Sequence, residues 1–360
     1  MTRLRAALIT PLTGPLASFG QAGATGLALW ARHAARLPPP WTGVDLDVRD
    51  SGGDVRASVR AALQDNPDVL FGPYGSYPML EAARSCPRVL WNHGGATSRL
   101  ARPAFPQVIN VLSPASSYFT GVLQAVHIFN AEAKTVALLH STSGFGCDVA
   151  AGAVSTARTL SFAIERLAFE PGHAATAASL VPRADVLLVV GSFSDECAAA
   201  PILLRRPWRA AAFVGAGVEE VLAPLGSQRE GLLGPAQWIV SAAPPPDEGP
   251  DAEWFVTQYQ GMARGEPSYP AAQAFAAGLL CARCLRDSGS CEDVESAQLA
   301  VAHQLACTTL FGAFRLDPQS GLQAGHQMVV VQWQQGVRRV VWPPEQAERP
   351  LLVLPPPLIQ

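Results

Sequence analysis

Two short segments combine glycines with hydroxyl side chains in a way that suits anion binding. GPYGSYP at 72–78 contains Ser76, and NHGGATSRL at 92–100 contains Gly95, Ala96 and Thr97. Both follow apolar runs and begin helical patterns, so their N–H groups and hydroxyls would lie at helix starts, where the helix dipole attracts negative charge. The chemistry indicated is the binding of a carboxylate without a basic residue. Equally, Ser76 and Thr97 could be ordinary helix caps.

Motifs of a named enzyme reaction are absent from the sequence. There is no GxxxxGK[ST] phosphate loop, no GxSxG elbow and no HExxH. GAGVEE at 215–220 has only the first half of a dinucleotide fingerprint and follows a late strand. His93 and His140 stand at predicted strand ends, where a functional and a structural role both remain open. We therefore expect a protein that is not an enzyme and needs no cofactor.

The seven cysteines are scattered over apolar segments, and an odd number argues against a disulfide framework. Cys281 and Cys284 form a CxxC within LLCARCL, which is typical of a helix interior. Neither a second CxxC nor a His pair accompanies them, as a zinc site would require. Buried packing is the expected role, and no metal site is expected.

The elements that would position the anion-binding segments alternate between strand and helix. Apolar runs interleaved with helical patterns lie at 4–10, 44–50, 68–73, 88–92 and 107–114. The alternation then begins again, with runs at 135–141, 162–169, 185–192 and 211–217. This predicts an α/β fold with two similar doubly wound halves in tandem, in which ligands bind beyond the carboxyl ends of the strands.

The last hundred residues break this rhythm. A Pro-rich segment at 243–254 reads as a crossover. Helical patterns follow at about 252–264, 269–286 and 293–306, and helices are also expected earlier at 21–36, 54–64, 79–85 and 116–130. MVVVQWQQGVRRVVWP at 328–343 predicts a hairpin with its turn at Gln335 and Gly336.

Composition limits the function classes. A length of 360 residues exceeds what one core usually serves, and 49% hydrophobic with 15% charged residues fits a globular chain. The net charge of -3, without long single-sign runs, argues against nucleic-acid and anionic-membrane partners. No apolar run reaches the roughly 20 residues that span a bilayer.

Four segments, in the right order from about Leu4 to Pro343, resemble the type I periplasmic binding protein family, in its branched-chain amino-acid and amide-binding branch. They are LITPLTGPLASFGQAGATGLALW, FGPYGSY, PSYPAAQAFAAGLL and FGAFRLDPQSGLQAGHQMVVVQW. The resemblance implies two Rossmann-like lobes joined by three crossovers, with a ligand in the cleft. We place lobe 1 at 1–116 and 246–322, and lobe 2 at 117–245 and 323–360.

The resemblance also implies site residues. Carboxylate-binding positions fall on Ser76 and on the Gly95–Ala96–Thr97 segment, and an aromatic cover falls on Phe19. The other implied ligand contacts are Phe145, Phe193, Ser194 and Tyr269. Phe145 could instead belong to the core, although Gly144 and Gly146 beside it indicate an exposed loop.

One departure from the family concerns the acid that holds a ligand's ammonium group. Ala216 and Gly217 occupy that place, and Glu219 follows two residues later. Glu196 and Asp195 are the candidates to substitute for it. A buried ammonium without a carboxylate costs several kcal/mol, against about 8 kcal/mol for a micromolar affinity. The sequence therefore favours a carboxylate or amide ligand without an α-amino group.

The resemblance implies an extracytoplasmic solute-binding protein of an ABC importer. It would close by a hinge around a small polar ligand, such as an amino acid, amide or carboxylate, and dock on a membrane permease. The alternative is a cytosolic amide or amino-acid sensor that regulates a partner protein. The short apolar stretch Ala6–Ile9 and the cysteines favour a cytoplasmic sensor, whereas the C-terminal segments favour a periplasmic receptor.

Overall fold

The computed structural model describes residues 2–289 and 293–353. Cys291 and the apolar end at 354–360 lie outside these residues. The chain divides into two compact units. The first contains the described residues up to Pro114 together with Trp238–Gln327, and the second contains Ala115–Gln237 and the described residues from Met328 onward. The chain thus passes between the units three times, as the family resemblance implies.

The unit boundaries differ from those expected at 116/117, 245/246 and 322/323. The largest correction concerns the Pro-rich crossover, because the first unit already begins again at Trp238. The indole Nε1 of Trp238 donates to the carbonyl of Leu310 at 2.9 Å. At the third boundary, Gln323 Nε2 donates to the carbonyl of Val111 at 3.0 Å. These long-range hydrogen bonds hold both segments in the first unit, and composition could not reveal them.

The first stretch of the first unit alternates strands and helices. They are β1 (Thr2–Thr10), α1 (Ala17–Leu29), β2 (Trp41–Asp50), α2 (Val55–Gln64), β3 (Val69–Phe71), α3 (Ser76–Ser85), β4 (Leu90–Asn92) and β5 (Val108–Asn110). A π-helical turn over Trp30–Ala34 continues α1.

The second unit repeats the alternation. Its first stretch contains α4 (Thr120–Phe129), β6 (Thr135–Ser141), α5 (Gly144–Thr159), β7 (Ala163–Phe169), α6 (Ala174–Ala178), β8 (Val186–Val190), α7 (Phe193–Leu203), β9 (Ala210–Phe213) and β10 (Leu233–Ala236).

The remaining elements complete both units. The first unit gains α8 (Ala252–Gln260), α9 (Tyr269–Asp287), α10 (Val294–Gln304), β11 (Cys307–Thr309) and β12 (Gly312–Phe314). The second gains the hairpin strands β13 (Val329–Gln334) and β14 (Val337–Trp342). Gln335 and Gly336 have φ of 57° and 75°, so the predicted two-residue turn is confirmed.

Both units use the same parallel strand order. The first sheet runs β2-β1-β3-β4-β5, and the second runs β14-β13-β10-β9-β8-β6-β7. In each, the chain begins at the strand next to one edge, adds the edge strand and then continues on the other side of the first strand, and β13 and β14 extend the second sheet as antiparallel strands. This order places a switch point between β1 and β3 and another between β6 and β8. Ligands of open α/β sheets bind beyond the strand ends at such points. The predicted pair of doubly wound halves is confirmed.

Helices α1 and α9 pack closely within the first unit. A Cβ on Gly26 would lie 2.1 Å from the carbonyl oxygen of Ala271, so only glycine allows this approach. Most of α9 is buried, including Cys281 and Cys284, so the predicted helix interior for the CxxC is confirmed. Burial raises the pKa of both thiols.

Three elements differ from expectation. α1 begins at Ala17 rather than Gln21, and α3 begins at Ser76 rather than Met79. Phe19 therefore belongs to a first helical turn rather than to a loop, and Ser76 opens α3, as its predicted place at a helix start implied. Strand β10 was not expected, and Pro235 within it is unusual for a central strand. It is tolerated because β10 pairs antiparallel with β13 and meets β9 only at Leu233 and Ala212.

Candidate functional site

An aromatic cluster lies at the switch point of the first unit. The rings of Phe19 and Tyr74 are stacked, with centroids 5.0 Å apart and planes 8° from parallel. The Tyr269 ring lies 6.2 Å from Phe19 and 6.3 Å from Tyr74, and the two tyrosine hydroxyls are hydrogen bonded. Such pairs contribute roughly 0.5–1.5 kcal/mol each beyond buried area. The structure thus brings together two predicted residues and adds Tyr74.

The fold explains why these three residues meet. Phe19 lies in the first turn of α1, which follows β1, and Tyr74 follows β3, the strand beside β1. Tyr269 is the first residue of α9, and the close packing of α1 on α9 brings it to the other two. Tyr74 stands two residues before Ser76 at a strand end, so the strand-end rule could have selected it.

Ser76 opens α3 without capping it. Gly75 occupies the N-cap position and makes no side-chain bond, so the capping interpretation of Ser76 is wrong. Among the described residues, neither the hydroxyl nor the N–H of Ser76 has an acceptor, and the N–H of Tyr77 has none either. Pro78, next in the helix, has no N–H. The first turn of α3 therefore presents unused donors at the positive end of a ten-residue helix.

The second anion-binding segment is joined to the first. The N–H of Gly75, whose φ is 102°, donates to the carbonyl of Gly94 at 2.9 Å. A Cβ on Gly94 would lie 2.5 Å from the Cα of Tyr74, so the two backbones touch. Ser76 and the segment that follows β4 are consequently parts of one surface in the first unit.

We call residues 93–100 the β4 loop. Its Gly95 N–H donates to Asn92 Oδ1 at 2.7 Å, so this donor is already engaged within the protein. Thr97 caps the short helical turn Ser98–Leu100, since its Oγ1 accepts from the N–H of Arg99 at 3.3 Å. The capping interpretation of Thr97 is confirmed. Ala96 is 6% exposed, and its N–H makes no hydrogen bond with a residue in the described ranges.

The two histidines at strand ends differ from one another. His93 is fully buried in the β4 loop, and burial lowers its pKa to about 4. Neither ring nitrogen completes a hydrogen bond with a described residue, although the backbones of Gly72 and of His93 itself lie near the ring. His140 Nδ1 lies 3.1 Å from the carbonyl of Ser141, a structural contact.

The second unit places its predicted aromatics at its own switch point. Phe145 lies in the first turn of α5 after β6, and Phe193 opens α7 after the neighbouring strand β8. The half-buried Phe145 ring meets Tyr118 edge-on at 5.4 Å, so it has one aromatic partner instead of a place in the core cluster. Ser194 is exposed, and its hydroxyl lies 2.9 Å from that of Ser192.

Two of the acids considered for a ligand ammonium have structural partners. Glu219 is exposed and forms an ion pair with Arg338 Nε at 2.7 Å, a contact with β14 that no local pattern signalled. Asp195 completes a capping box with Ser192, and its Oδ1 accepts from the N–H of Gly172 at 2.8 Å. Both acids are engaged within the second unit.

The third acid, Glu196, is enclosed in the second unit. Its side chain is fully buried, and its Oε2 accepts from the N–H of Gly215 at 2.7 Å. Its Oε1 has no partner among the described residues. Burial raises the pKa of Glu196 to about 8, with a smaller contribution from the charge of Asp195. The shift favours the protonated, uncharged form of the group at neutral pH, in which it is a poor counter-ion for an ammonium.

Within the described ranges, no group of three or more His, Cys, Asp or Glu residues could hold a metal ion. Nor does any described helix have the length and apolarity needed to cross a membrane. The donors that the first unit presents to an anion are uncharged hydroxyl and N–H groups, and they lie beside aromatic rings.

Comparisons with known proteins identify the family and the fold. Residues 3–338 match the family model described as periplasmic binding protein. The leucine-binding protein LivK of Thermotoga maritima is similar in structure, with 17% identity and a TM-score of 0.76 over 94% of this chain and 97% of that one. A solute-binding protein of an ABC transporter from R. palustris, solved with 4-hydroxybenzoate, has 16% identity and a TM-score of 0.77 over 94% and 95%.

A second R. palustris solute-binding protein, solved with benzoate, has 15% identity and a TM-score of 0.74 over 94% of this chain and 96% of that one. At these identities the structural likeness shows the fold, and the family model covers nearly the whole chain. The resemblance found in the sequence is thereby confirmed. The chain belongs to the periplasmic binding protein family.

Proposed function

We propose that this protein is the extracytoplasmic solute-binding component of an ABC importer, and that its ligand is a small carboxylate with an apolar or aromatic body and no α-amino group. The main support is that the first unit holds unused N–H and hydroxyl donors next to an aromatic cluster. A membrane permease is the partner that this function requires.

The carboxylate would bind where the helix start of α3 meets the β4 loop. Ser76 supplies a hydroxyl and an N–H, Tyr77 and Ala96 supply further N–H groups, and Thr97 lies beside them. Backbone donors at a helix N-terminus favour an anion through both hydrogen bonds and the helix dipole. Because Gly75 is hydrogen bonded to Gly94, these donors form a preorganised surface that needs little ordering when a ligand arrives.

The body of the ligand would contact the aromatic cluster of Phe19, Tyr74 and Tyr269. Apolar or aromatic rings are the surfaces that such a cluster binds best. The similar structures solved with benzoate and 4-hydroxybenzoate show that proteins of this fold accept a ring joined to a carboxylate. These observations support an aromatic or branched aliphatic acid.

The absence of an amino group is supported by the acids of the second unit. Glu219 is paired with Arg338, Asp195 caps α7, and burial raises the pKa of Glu196 to about 8, which favours its protonated form. An ammonium group brought next to them would lack a free counter-charge. Hinge closure, which would engage Phe145, Phe193 and Ser194, is part of the proposal.

The test is calorimetric titration of the purified protein with benzoate, with Ser76→Ala as the binding variant and the exposed Ser155→Ala, on α5, as the matched control. Loss of a hydrogen bond to a charged group costs roughly 1.5–3 kcal/mol, so Ser76→Ala is expected to weaken binding by roughly tenfold or more. The control should bind as the unaltered protein does. Equal affinity of both variants would contradict the placement of the carboxylate, and a failure to bind any small carboxylate would contradict the proposed function.

A further inference from the structure

Asn92 and Asn110 form a buried amide pair beneath the β4 loop. They are register partners on the neighbouring strands β4 and β5, at 0% and 3% exposure. Asn92 Nδ2 donates to Asn110 Oδ1 at 2.8 Å. Two amides buried in an apolar sheet would be costly unless their polar atoms were satisfied, so their partners show what they hold in place.

Every hydrogen-bonding position of the Asn92 side chain is used. Its second N–H donates to the carbonyl of Gly95 at 2.7 Å, while Oδ1 accepts from the N–H groups of Gly94 and Gly95 at 3.2 and 2.7 Å. An asparagine amide offers two donors and two acceptor positions, and all four are filled here. Asn92 thus fixes the first half of the β4 loop.

Asn110 holds the other end of the same loop. Its Nδ2 donates to the carbonyl of Leu100 at 3.4 Å and to that of Gly321 at 3.0 Å. Leu100 closes the helical turn that Thr97 caps. The two side-chain amides therefore hydrogen bond to both ends of the β4 loop, at Gly94 and Gly95 and at Leu100. Ala96 and Thr97 lie between these contacts.

We infer that Asn92 and Asn110 are positioning residues for ligand binding. They shape the β4 loop so that the N–H of Ala96 and the Thr97 segment face the carboxylate, without contacting the ligand themselves. This inference rests on the proposed function, since it assigns the amide pair a role in that same site. A hydrophobic pair could fill the same volume, but it would leave the Gly94 and Gly95 N–H groups without acceptors and release the loop.

The test compares Asn92→Ala and Asn110→Ala with Asn130→Ala, a buried asparagine of the second unit that serves as the matched control. Hydrogen exchange of the Gly94 and Gly95 amides is measured without ligand, and benzoate affinity is measured well below each melting temperature. We expect about tenfold weaker binding and faster exchange in Asn92→Ala. A smaller change in the same direction is expected in Asn110→Ala, and neither change in Asn130→Ala.

A double-mutant cycle separates positioning from general stability. If Asn92 acts through the loop, Thr97→Val should cost much less affinity in the Asn92→Ala background than in the unaltered protein. Additive losses, or lower melting temperatures with unchanged affinity and exchange, would overturn the inference. If Asn92→Ala does not fold, Asn110→Ala carries the same comparison. Should the unaltered protein bind no carboxylate, the proposed function fails, whereas the exchange of Gly94 and Gly95 still decides whether Asn92 shapes the loop.

Discussion

The carboxyl group of Glu196 accepts a hydrogen bond from the N–H of Gly215 at 2.7 Å, inside the second unit. Gly215 immediately precedes Ala216 and Gly217, which stand where the amino-acid binders of the family are expected to carry their acid. An acid is thus present close to that place, but it is buried, and burial raises its pKa. This contact bears on the stability of the second unit and, under the proposed function, on the absence of an amino group in the ligand.

Glu196→Gln should stabilise the protein increasingly as pH rises. In the folded state, burial raises the pKa of Glu196 from 4.5 to about 8, so the folded protein keeps a proton that the unfolded chain loses. The free energy of unfolding therefore falls as pH rises through this window, by up to about 1.4 kcal/mol per pH unit. Glutamine keeps an acceptor for Gly215 and does not titrate. Urea denaturation at pH 5 and pH 8 should show the gap between the variant and the unaltered protein widening, and parallel curves would contradict the burial of an ionisable acid.

For His93 we expect the opposite dependence of the free energy of unfolding on pH. Burial lowers the pKa of His93 from 6.5 to about 4, so the unfolded chain takes up a proton first. Its contribution to stability is complete above pH 6.5 and is lost as pH falls toward 4. His93→Phe removes ring nitrogens that lack partners among the described residues. In thermal denaturation, the melting temperature of this variant should fall less between pH 6.5 and pH 4 than that of the unaltered protein. The exposed His173→Phe serves as the control. If the melting temperature of His93→Phe fell as steeply below pH 6.5 as that of the unaltered protein, the ring of His93 would be accessible to water.

Removing a ring from the aromatic cluster should reduce affinity more than stability. Phe19 is half-buried and stacked on Tyr74, so Phe19→Leu removes a surface that the ligand would share. We expect about tenfold weaker benzoate binding. Phe129→Leu, at a partly exposed ring of the second unit, is the matched control for losing a phenyl group. Calorimetry that found equal affinities in the two variants would exclude the cluster as the wall of the site.

The places of the candidate residues in the fold could be predicted where local sequence decides the structure, by the strand-end rule for Ser76 and by the family resemblance for Phe145 and Phe193. Phe19, Ser76, Phe145 and Phe193 follow strands at the two switch points, because the alternation of apolar runs and helices fixes the order of the sheet. Such patterns need no knowledge of distant contacts.

Contacts between distant residues could not be predicted in this way. Tyr74 and Tyr269 are separated by 195 positions, and their pairing follows from the packing of α1 on α9. Glu219 meets Arg338 across 119 positions, so a residue that looked available to a ligand has a partner in the hairpin. The same holds for the unit boundaries, where Trp238 and Gln323 are held by residues far along the chain.

Under the proposed function, the ligand is a carboxylate without an α-amino group. The most direct test is calorimetric titration of the unaltered protein with two matched pairs, isocaproate against leucine and hydrocinnamate against phenylalanine, because the members of each pair differ only in that group. The account predicts that each amine-free acid binds at least about tenfold more tightly than its amino acid, since an unpaired ammonium costs several kcal/mol. Equal or tighter binding of leucine or phenylalanine would contradict it and would show that the second unit supplies a charged acid after all.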